Sequence, residues 1–270
     1  MAEKIIGFIG AGNMGSAMIG GICNSGMIAP TQIIASAHST ATIEKISTAY
    51  GIHTTLFNEE VAAKSDILFL AVKPNKFAEV LPAIASSLKK DSILVSVAAG
   101  QSIAAIESLL GSDIKLVRAM PNTPAFVGES MSALCCNSNV TDEELSYVQH
   151  LFECFGKAEI VTEGMMDAVI GVAGSSPAYV YMFIEAMADA AVADGMPRGM
   201  AYKFAAQSVL GAAKMVLETG KHPGELKDAV CSPGGTTIEA VASLEAGGFR
   251  DTVIRAQRAC VQKSKDMTRQ

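Results

Sequence analysis

The first residues with a spacing suited to chemistry form a glycine-rich turn near the start of the chain. The hexapeptide Gly10-Ala11-Gly12-Asn13-Met14-Gly15 fits the pattern G-x-G-x-x-G, after a strand-like segment at residues 4–9 and before a helical one. In that context the first glycine permits a tight turn, the second lets a pyrophosphate approach the backbone, and the third allows helix and strand to pack closely. The pattern therefore predicts a dinucleotide site, although a ligand-free strand–helix turn would show the same glycines.

The residues after the second predicted strand favour NADP over NAD. An NAD site usually has Asp or Glu there to bind the ribose hydroxyls. Here Ser36, His38, Ser39 and Thr40 occupy the region, and no acidic residue precedes Glu44 after the glycine turn. NADPH is the expected cofactor, with NADH as an alternative because the usual Arg is missing too. Ser39 and Thr40 have an ordinary alternative role as helix N-caps, and His38 is interpreted as a surface residue.

A second candidate cofactor segment ends another apolar run. Ala71, Val72, Lys73 and Pro74 lie where a strand reaches the edge of a sheet. In open parallel sheets, ligands bind beyond the carboxyl ends of the strands. Because Pro74 keeps Lys73 extended, we expect a cofactor contact through the Lys73 backbone, the alternative being a lysine that merely ends a strand at the surface. The loop at residues 120–124, with two prolines, is expected to shape the same edge.

The most informative segment of the second half is the run SPGGTT at residues 232–237. Thr236 and Glu239 have the spacing of a capping box, which predicts that a helix starts here. The Pro-Gly-Gly turn leaves that helix start bare, and such an N-terminus suits a small carboxylate. The residues predicted to bind substrate are Ser232, Gly234, Gly235, Thr236 and Thr237; a capped helix without a ligand is the alternative. A similar helix start is expected near residue 177, with Ser176 as its cap.

Strong acids and bases are scarce among these segments. None of the four histidines lies in a catalytic motif, and no Cys or His pair has zinc-binding spacing, so no metal is predicted. A pocket of hydroxyl groups and backbone donors suits a substrate that needs little acid–base help. A cyclic imine is such a substrate because it is readily protonated and then accepts hydride, whereas a ketone would need a His or Lys within reach.

These segments require a scaffold of alternating strands and helices. Predicted strands cover residues 4–9, 32–36, 66–72, 92–97, 114–119 and 158–161, with predicted helices at 13–25, 40–50, 76–88, 102–110 and 142–155. Continuous apolar strands between helices indicate a doubly wound, Rossmann-type parallel sheet. After residue 163 only helical patterns remain. The chain is therefore predicted to be an α/β protein with a dinucleotide-binding domain at residues 1–163 and an all-α domain at residues 164–270.

The helical half is very apolar for its size. Residues 178–192 carry only Glu185 and Asp189 as charges, so a helix there needs burial nearly all round. A small domain offers little interior for it. A homodimer with interlocking helical domains is favoured, and a compact bundle packed on the first domain is the alternative.

Composition limits the partners and the location. The net charge of −6, with 18% charged and 50% hydrophobic residues, argues against a disordered chain and against binding to nucleic acid or an anionic membrane. Apolar runs such as residues 67–72 are shorter than the ~20 residues of a spanning helix, and no signal peptide is visible. Six cysteines without a paired pattern, including Cys135 and Cys136, are typical of reduced thiols, so a cytoplasmic location is expected.

At these residues the sequence resembles the pyrroline-5-carboxylate reductase family along its whole length. The glycine turn, residues 71–74, residues 120–124 and above all residues 226–237 occur in the family's order. The resemblance implies reduction of 1-pyrroline-5-carboxylate to L-proline with NAD(P)H, the last step of proline biosynthesis. It also implies an all-α dimerisation domain, a homodimer that in some members assembles as a decamer of five dimers, and a substrate loop that can come from the partner subunit.

The resemblance also implies roles for individual residues. Ser36 looks like a contact to the adenosine ribose or its phosphate, and Asn58 and residues 71–74 look like cofactor contacts. Ser232 and residues 234–237 look like the carboxylate-binding loop, with the Thr237 hydroxyl nearest the ring nitrogen as the candidate proton donor. Ser176 departs from the family, which usually has Gly there, and its hydroxymethyl group would crowd the pocket floor.

Two other functions are alternatives to the reduction of 1-pyrroline-5-carboxylate. A two-domain hydroxyacid dehydrogenase would need a catalytic Lys soon after the domain boundary, and no Lys occurs between Gly164 and Gly195. A dinucleotide-sensing regulator or an oligomerisation scaffold would keep the glycine turn but has no need for residues 232–237.

Overall fold

The computed structural model describes residues 4–268, which divide into two compact units. The first unit comprises Met1–Ser175 with Cys260–Gln270, and the second comprises Ser176–Ala259. The first contains an eight-stranded sheet in the order β3-β2-β1-β4-β5-β6-β7-β8. Its strands are β1 (Ile6–Ile9), β2 (Ile33–Ser36), β3 (His53–Thr55), β4 (Ile67–Leu70), β5 (Ile93–Ser96), β6 (Lys115–Met120), β7 (Ser130–Cys136) and β8 (Gly156–Ile160).

Helices alternate with these strands and then continue without further strands among the described residues. Those of the first unit are α1 (Asn13–Ser25), α2 (Thr40–Tyr50), α3 (Asn58–Lys64), α4 (Phe77–Ile84), α5 (Ile103–Leu110), α6 (Asp142–Glu153) and the short α7 (Met166–Val169). The second unit contains α8 (Ser176–Ala193), α9 (Arg198–Thr219), α10 (Pro223–Val230), α11 (Thr236–Ala246) and the start of α12 (Phe249–Thr268). The predicted α/β class, with a doubly wound sheet followed by helices, is confirmed.

The central strands are buried on both faces, as a parallel sheet covered by helices requires. Every residue of β1, β2, β4 and β5 is buried. Phe8 and Phe69 stack with ring centroids 4.6 Å apart in this core. Ile9 pairs with both Ser36 and Leu70, so β1, β2 and β4 end at the same level. The segments that follow these strands are therefore held at one edge of the sheet.

Two strands lie outside the predicted set, for different reasons. The three residues of β3 form a partly exposed edge strand without an apolar run. β7 runs antiparallel to β6 and parallel to β8, so it breaks the all-parallel pattern that the alternation of strands and helices indicates. Its pairing with β6 joins distant residues such as Ala119 and Leu134, which no local pattern specifies.

The final helix contributes to both units. Its residues up to Ala259 belong to the second unit, and those from Cys260 onward pack with the first. Ser175 Oγ lies 3.0 Å from Cys260 Sγ, and Ser264 Oγ donates a hydrogen bond of 2.6 Å to Asp167. By packing, residues 164–175 and the end of α12 are thus part of the sheet-containing unit, while the division of function at residue 163 stays a prediction.

The helical run Glu163–Ala193 is apolar enough, and long enough, to span a membrane by composition and length alone. The most apolar stretches, such as residues 67–72, are shorter than a membrane span, as expected; this Ala- and Gly-rich run meets the criterion through its mean hydropathy over a longer helix. Only 11% of the most apolar part of this run is buried within the chain. Tyr181, Met182 and Phe204 of the second unit are likewise largely exposed. Such a surface calls for an apolar partner.

Candidate active site

The glycine turn between β1 and α1 combines close packing with one open position. Gly10 has φ +98°, and a Cβ there would lie 2.8 Å from the backbone of Ala71. A Cβ on Gly15 would lie 2.2 Å from the Gly10 carbonyl oxygen, whereas a Cβ on Gly12 would meet nothing within 4 Å. Gly10 and Gly15 are therefore required by the fold, and Gly12 leaves free space above the backbone.

The start of α1 is suited to bind an anion in that space. Gly12 is the N-cap residue, and no side chain caps the N–H groups of the first turn. The first turn begins with Asn13 and Met14, and no acidic residue lies in it. Uncapped N–H groups at the positive end of a helix, next to a glycine without neighbours, fit the pyrophosphate of a dinucleotide.

Ser36 and Asn58 meet at the end of β2. Ser36 is 1% exposed, and its Oγ donates a hydrogen bond of 2.7 Å to Asn58 Oδ1. Asn58 is half-buried at the first position of α3, and no described residue accepts a hydrogen bond from its Nδ2. The Ser36 hydroxyl thus orients the amide of Asn58, whose N–H₂ group remains available for a ligand.

The polar residues that follow Ser36 have structural roles at the start of α2, which was the alternative to contact with the cofactor. Ser39 is the N-cap of α2, and its Oγ accepts a hydrogen bond from the Thr42 N–H at 3.3 Å. Thr40 is the first helical residue, and His38 is exposed. No carboxylate lies among residues 36–43, so this region presents no negative charge to a 2′-phosphate.

Residues 71–74 reach the same edge from β4. The Ala71 N–H donates to the Ile9 carbonyl at 2.8 Å, and the Gly10 N–H donates to the Ser36 carbonyl at 3.1 Å. Lys73 is exposed and extended, and Pro74 starts a short 3₁₀ turn. The structure therefore brings together the three segments predicted to bind the cofactor; their contact with it stays a prediction.

A cavity of about 220 Å³ lies beside the carboxyl end of β5 and is lined entirely by the first unit. Its lining residues include Ala99 and Gly100 after β5, together with Ser175, Cys260 and Lys263. In doubly wound folds this edge of the sheet faces the bound ligand.

The predicted role of Ser176 as a helix cap was wrong: Ser176 is already helical, because a π-helical turn at Ile170–Gly174 leads directly into α8.

In the second unit, the loop between α10 and α11 leaves a helix start uncovered. Gly235 is the N-cap of α11, and no side chain bonds to the first-turn N–H groups. The capping box was wrong, since Thr236 is the first helical residue and not the cap. A Cβ on Gly235 would lie 2.3 Å from Ser232 Oγ, so a larger residue there would displace that hydroxyl, and the Gly235 N–H donates to the Ser232 carbonyl at 3.0 Å.

The uncapped start of α11 carries the other predicted substrate residues. Gly234 has φ +67°, which turns the chain into the helix. Thr236 is exposed and Thr237 is half-buried in the first turn. The helix is 11 residues long, so its positive end presents N–H groups and hydroxyls to one small anion.

Sequence reasoning missed a buried ionic group in the first unit. Arg118 is 3% exposed on β6, and its Nη1 donates to Glu163 Oε1 at 2.9 Å. The same oxygen accepts the Ile103 N–H at 2.8 Å, while Arg118 Nε has no partner among the described residues. Burial, together with the Glu163 charge, raises the pKa of the neighbouring Cys135 thiol to about 12. The signal in the sequence was a single Arg inside an apolar strand.

A doubly wound sheet with an open glycine turn, followed by helices that carry a second uncovered helix start, defines a two-domain nicotinamide-dependent oxidoreductase. Comparisons with known families agree. Residues 5–100 match the family described as NADP oxidoreductase, coenzyme F420-dependent, and residues 163–267 match pyrroline-5-carboxylate reductase dimerisation.

Relatives similar over the full length decide the family. Pyrroline-5-carboxylate reductase of Escherichia coli (strain K12) is 54% identical over 99% of both chains, and that of Arabidopsis thaliana is 43% identical over 97% of this chain and 95% of the relative. The crystal structure of Plasmodium falciparum pyrroline carboxylate reductase with NADP bound is 35% identical, with a TM-score of 0.89 over 99% of both chains. The chain belongs to the pyrroline-5-carboxylate reductase family.

Proposed function

We propose that the chain reduces 1-pyrroline-5-carboxylate to L-proline with NADPH, as the last step of proline biosynthesis. The observation that carries the proposal is the uncapped start of α11, since Gly235 leaves its N–H groups free for the substrate carboxylate. The family membership and the open glycine turn support it. When bound, the reduced nicotinamide supplies the hydride that reaches the C=N carbon of the imine.

We assign cofactor binding to the edge of the first unit. The N–H groups after Gly12 would bind the pyrophosphate, and Asn58, oriented by Ser36, would contact the adenosine ribose or its phosphate. The absence of a carboxylate at residues 36–43 favours NADPH, with NADH as the alternative. Residues 71–74 would contact the cofactor through their backbone.

We assign substrate binding to the second unit. Backbone N–H groups at residues 235–237 would bind the carboxylate, with Ser232 and Thr236 beside it. The Thr237 hydroxyl would donate a hydrogen bond or a proton to the ring nitrogen. Orientation of the imine carbon is the main contribution of this loop, since a protonated imine needs no strong base.

We further propose a homodimer, because the largely exposed apolar residues of the second unit need a partner and the matched family region is described as a dimerisation region. Assembly into a decamer of five dimers and a cytoplasmic location remain predictions. In the dimer, the loop at residues 232–237 of one protomer would serve the cofactor edge of the other.

The experiment is nicotinamide oxidation by the purified protein with 1-pyrroline-5-carboxylate, with NADPH and NADH in parallel. We expect turnover to proline, faster with NADPH. Thr237→Ala should lower kcat while NADPH binding stays intact, and Thr237→Ser, which keeps the hydroxyl, should retain most of the activity. No turnover from a protein that binds NADPH would refute the reductase and favour the dinucleotide sensor.

Subunit complementation tests the sharing of sites. A heterodimer of one Gly12→Ala chain and one Thr237→Ala chain has one intact site if the loop comes from the partner, and none if both parts come from one chain. Recovery of activity in purified heterodimers is expected. Activity no higher than that of either parent variant would show that each chain completes its own site.

A further inference from the structure

The loop after β6 contains a buried side-chain amide outside the proposed cofactor and substrate sites. Asn122 is 8% exposed, and its Oδ1 accepts hydrogen bonds from the Met131 N–H at 3.0 Å and the Ser130 hydroxyl at 3.1 Å. Its Nδ2 donates at 3.0 Å to the carbonyl of Ala173, which is 51 residues away in sequence. One side chain therefore connects the start of β7 to the segment that leads into α8.

The Ala173 carbonyl needs this donor because of the local helix geometry. In a continuous α-helix it would accept the N–H of residue 177, which is a proline and has none. Ala173 is 8% exposed, and a buried carbonyl without a partner is costly. The chain makes a π-helical turn at this point, with the Ser175 N–H donating to the Ile170 carbonyl at 2.9 Å. Such turns are frequent at functional sites.

The π-helical turn ends at a wall of the cavity beside β5. Ser175 follows it directly and lines that cavity together with Ala99 and Gly100. Because the nicotinamide end of a dinucleotide lies at the carboxyl ends of the strands, a shift of this wall would alter the geometry of hydride transfer.

We infer that Asn122 is a positioning residue for hydride transfer, which acts by holding the Ala173 carbonyl and thereby the Ser175 wall of the cavity. The inference rests on the proposed reductase activity. Asn122 acts through the backbone of the π-helical turn and has no contact of its own with the substrate in this scheme.

The test compares Asn122 with an asparagine that makes similar bonds at the other end of β6. Asn137 Oδ1 accepts the Leu116 N–H at 3.2 Å, and its Nδ2 donates to the Ile114 carbonyl at 2.9 Å. We expect Asn122→Ala to lower kcat by about tenfold or more, while NADPH affinity measured without substrate changes by less than about twofold. Asn137→Ala should keep the wild-type kcat, although it loses comparable hydrogen bonds.

Asn122→Asp provides a second variant that keeps an acceptor for the Met131 N–H, while its carboxylate has no donor for the Ala173 carbonyl and repels that oxygen. We expect it to lower kcat as Asn122→Ala does, and to speed hydrogen exchange of the Ser175 amide, which Asn137→Ala should leave unchanged. Wild-type kcat in both Asn122 variants, or an equal loss in Asn137→Ala, would overturn the inference. Absence of turnover in the wild-type protein would instead remove the proposed function, whatever the exchange rates show.

Discussion

The glycine turn allows cofactor binding and fold stability to be separated by two substitutions three residues apart. Gly12→Ala places a methyl group where no atom lies within 4 Å, at a backbone conformation of φ −72° that alanine adopts. The entropic gain of about 0.4–1 kcal/mol from replacing glycine is offset by the poorer N-cap, so the free energy of unfolding should change by less than about 0.5 kcal/mol. The methyl group nevertheless occupies the space assigned to the pyrophosphate.

The expected loss of binding follows from the hydrogen bonds at stake. Loss of one bond between a charged phosphate oxygen and a backbone N–H costs about 1.5–3 kcal/mol, which corresponds to roughly tenfold to hundredfold weaker NADPH binding. Gly15→Ala behaves differently, because its Cβ would lie 2.2 Å from the Gly10 carbonyl oxygen. That overlap should lower the free energy of unfolding by about 1–3 kcal/mol, or about 2–4 °C in Tm for each kcal/mol.

Fluorescence titration with NADPH and thermal unfolding followed by circular dichroism measure the two quantities on the same samples, without substrate. The expected pattern is a Gly12→Ala protein with wild-type Tm and weak binding, and a Gly15→Ala protein with a lowered Tm. NADPH affinity of Gly12→Ala within about twofold of wild type would refute the placement of the pyrophosphate over Gly12.

Two further predictions concern the buried groups around β6. The pKa of the Cys135 thiol is about 12 in the folded protein. From about pH 9 upward the thiol therefore ionises in the unfolded chain while it stays protonated in the folded one. The free energy of unfolding consequently falls as pH rises through this range. Cys135→Ala should flatten this alkaline decline in urea titrations; an unchanged slope would contradict the assignment. Arg118→Met should lower the free energy of unfolding by about 1–3 kcal/mol, because it leaves Glu163 without its cation. Glu163→Gln should cost more, because it leaves the buried Arg118 guanidinium without its anion, whereas the Glu163 carboxylate left by Arg118→Met is 38% exposed and can be hydrated. Urea unfolding that ranks the two variants the other way would argue against this network.

Features set by short-range sterics or by continuous apolar runs could be read from the sequence. The glycine turn is one, because the demands on Gly10 and Gly15 arise from atoms of the turn and of the adjoining strand end. The buried strands β1, β2, β4 and β5 are another, since each is an apolar run between helices. Family resemblance then added the chemistry that these patterns alone left open.

Features that depend on long-range strand pairing, or on which of two adjacent residues caps a helix, could not be predicted from the sequence. β7 consists largely of small residues and pairs antiparallel with β6 through residues that are far apart in sequence. The match of Thr236 and Glu239 to a capping box was misleading, because the turn closes one residue earlier, at Gly235 under the Ser232 hydroxyl. The bond from Asn122 to Ala173 has no local signal except Pro177, which removes the usual donor.

The packing of residues 260–268 with the sheet-containing unit has a consequence for folding during translation. During translation, residues 4–175 emerge long before the segment that supplies Cys260 and Ser264. At about 5–20 residues per second, the intervening residues 176–259 delay its arrival by roughly 4 to 17 s. Throughout that interval the nascent sheet must exist without the end of its last helix, and the cavity beside β5 without one of its walls. Ribosome-bound chains halted before and after residue 260 would therefore differ in protease resistance at residues 163–175, far upstream of the point of arrest.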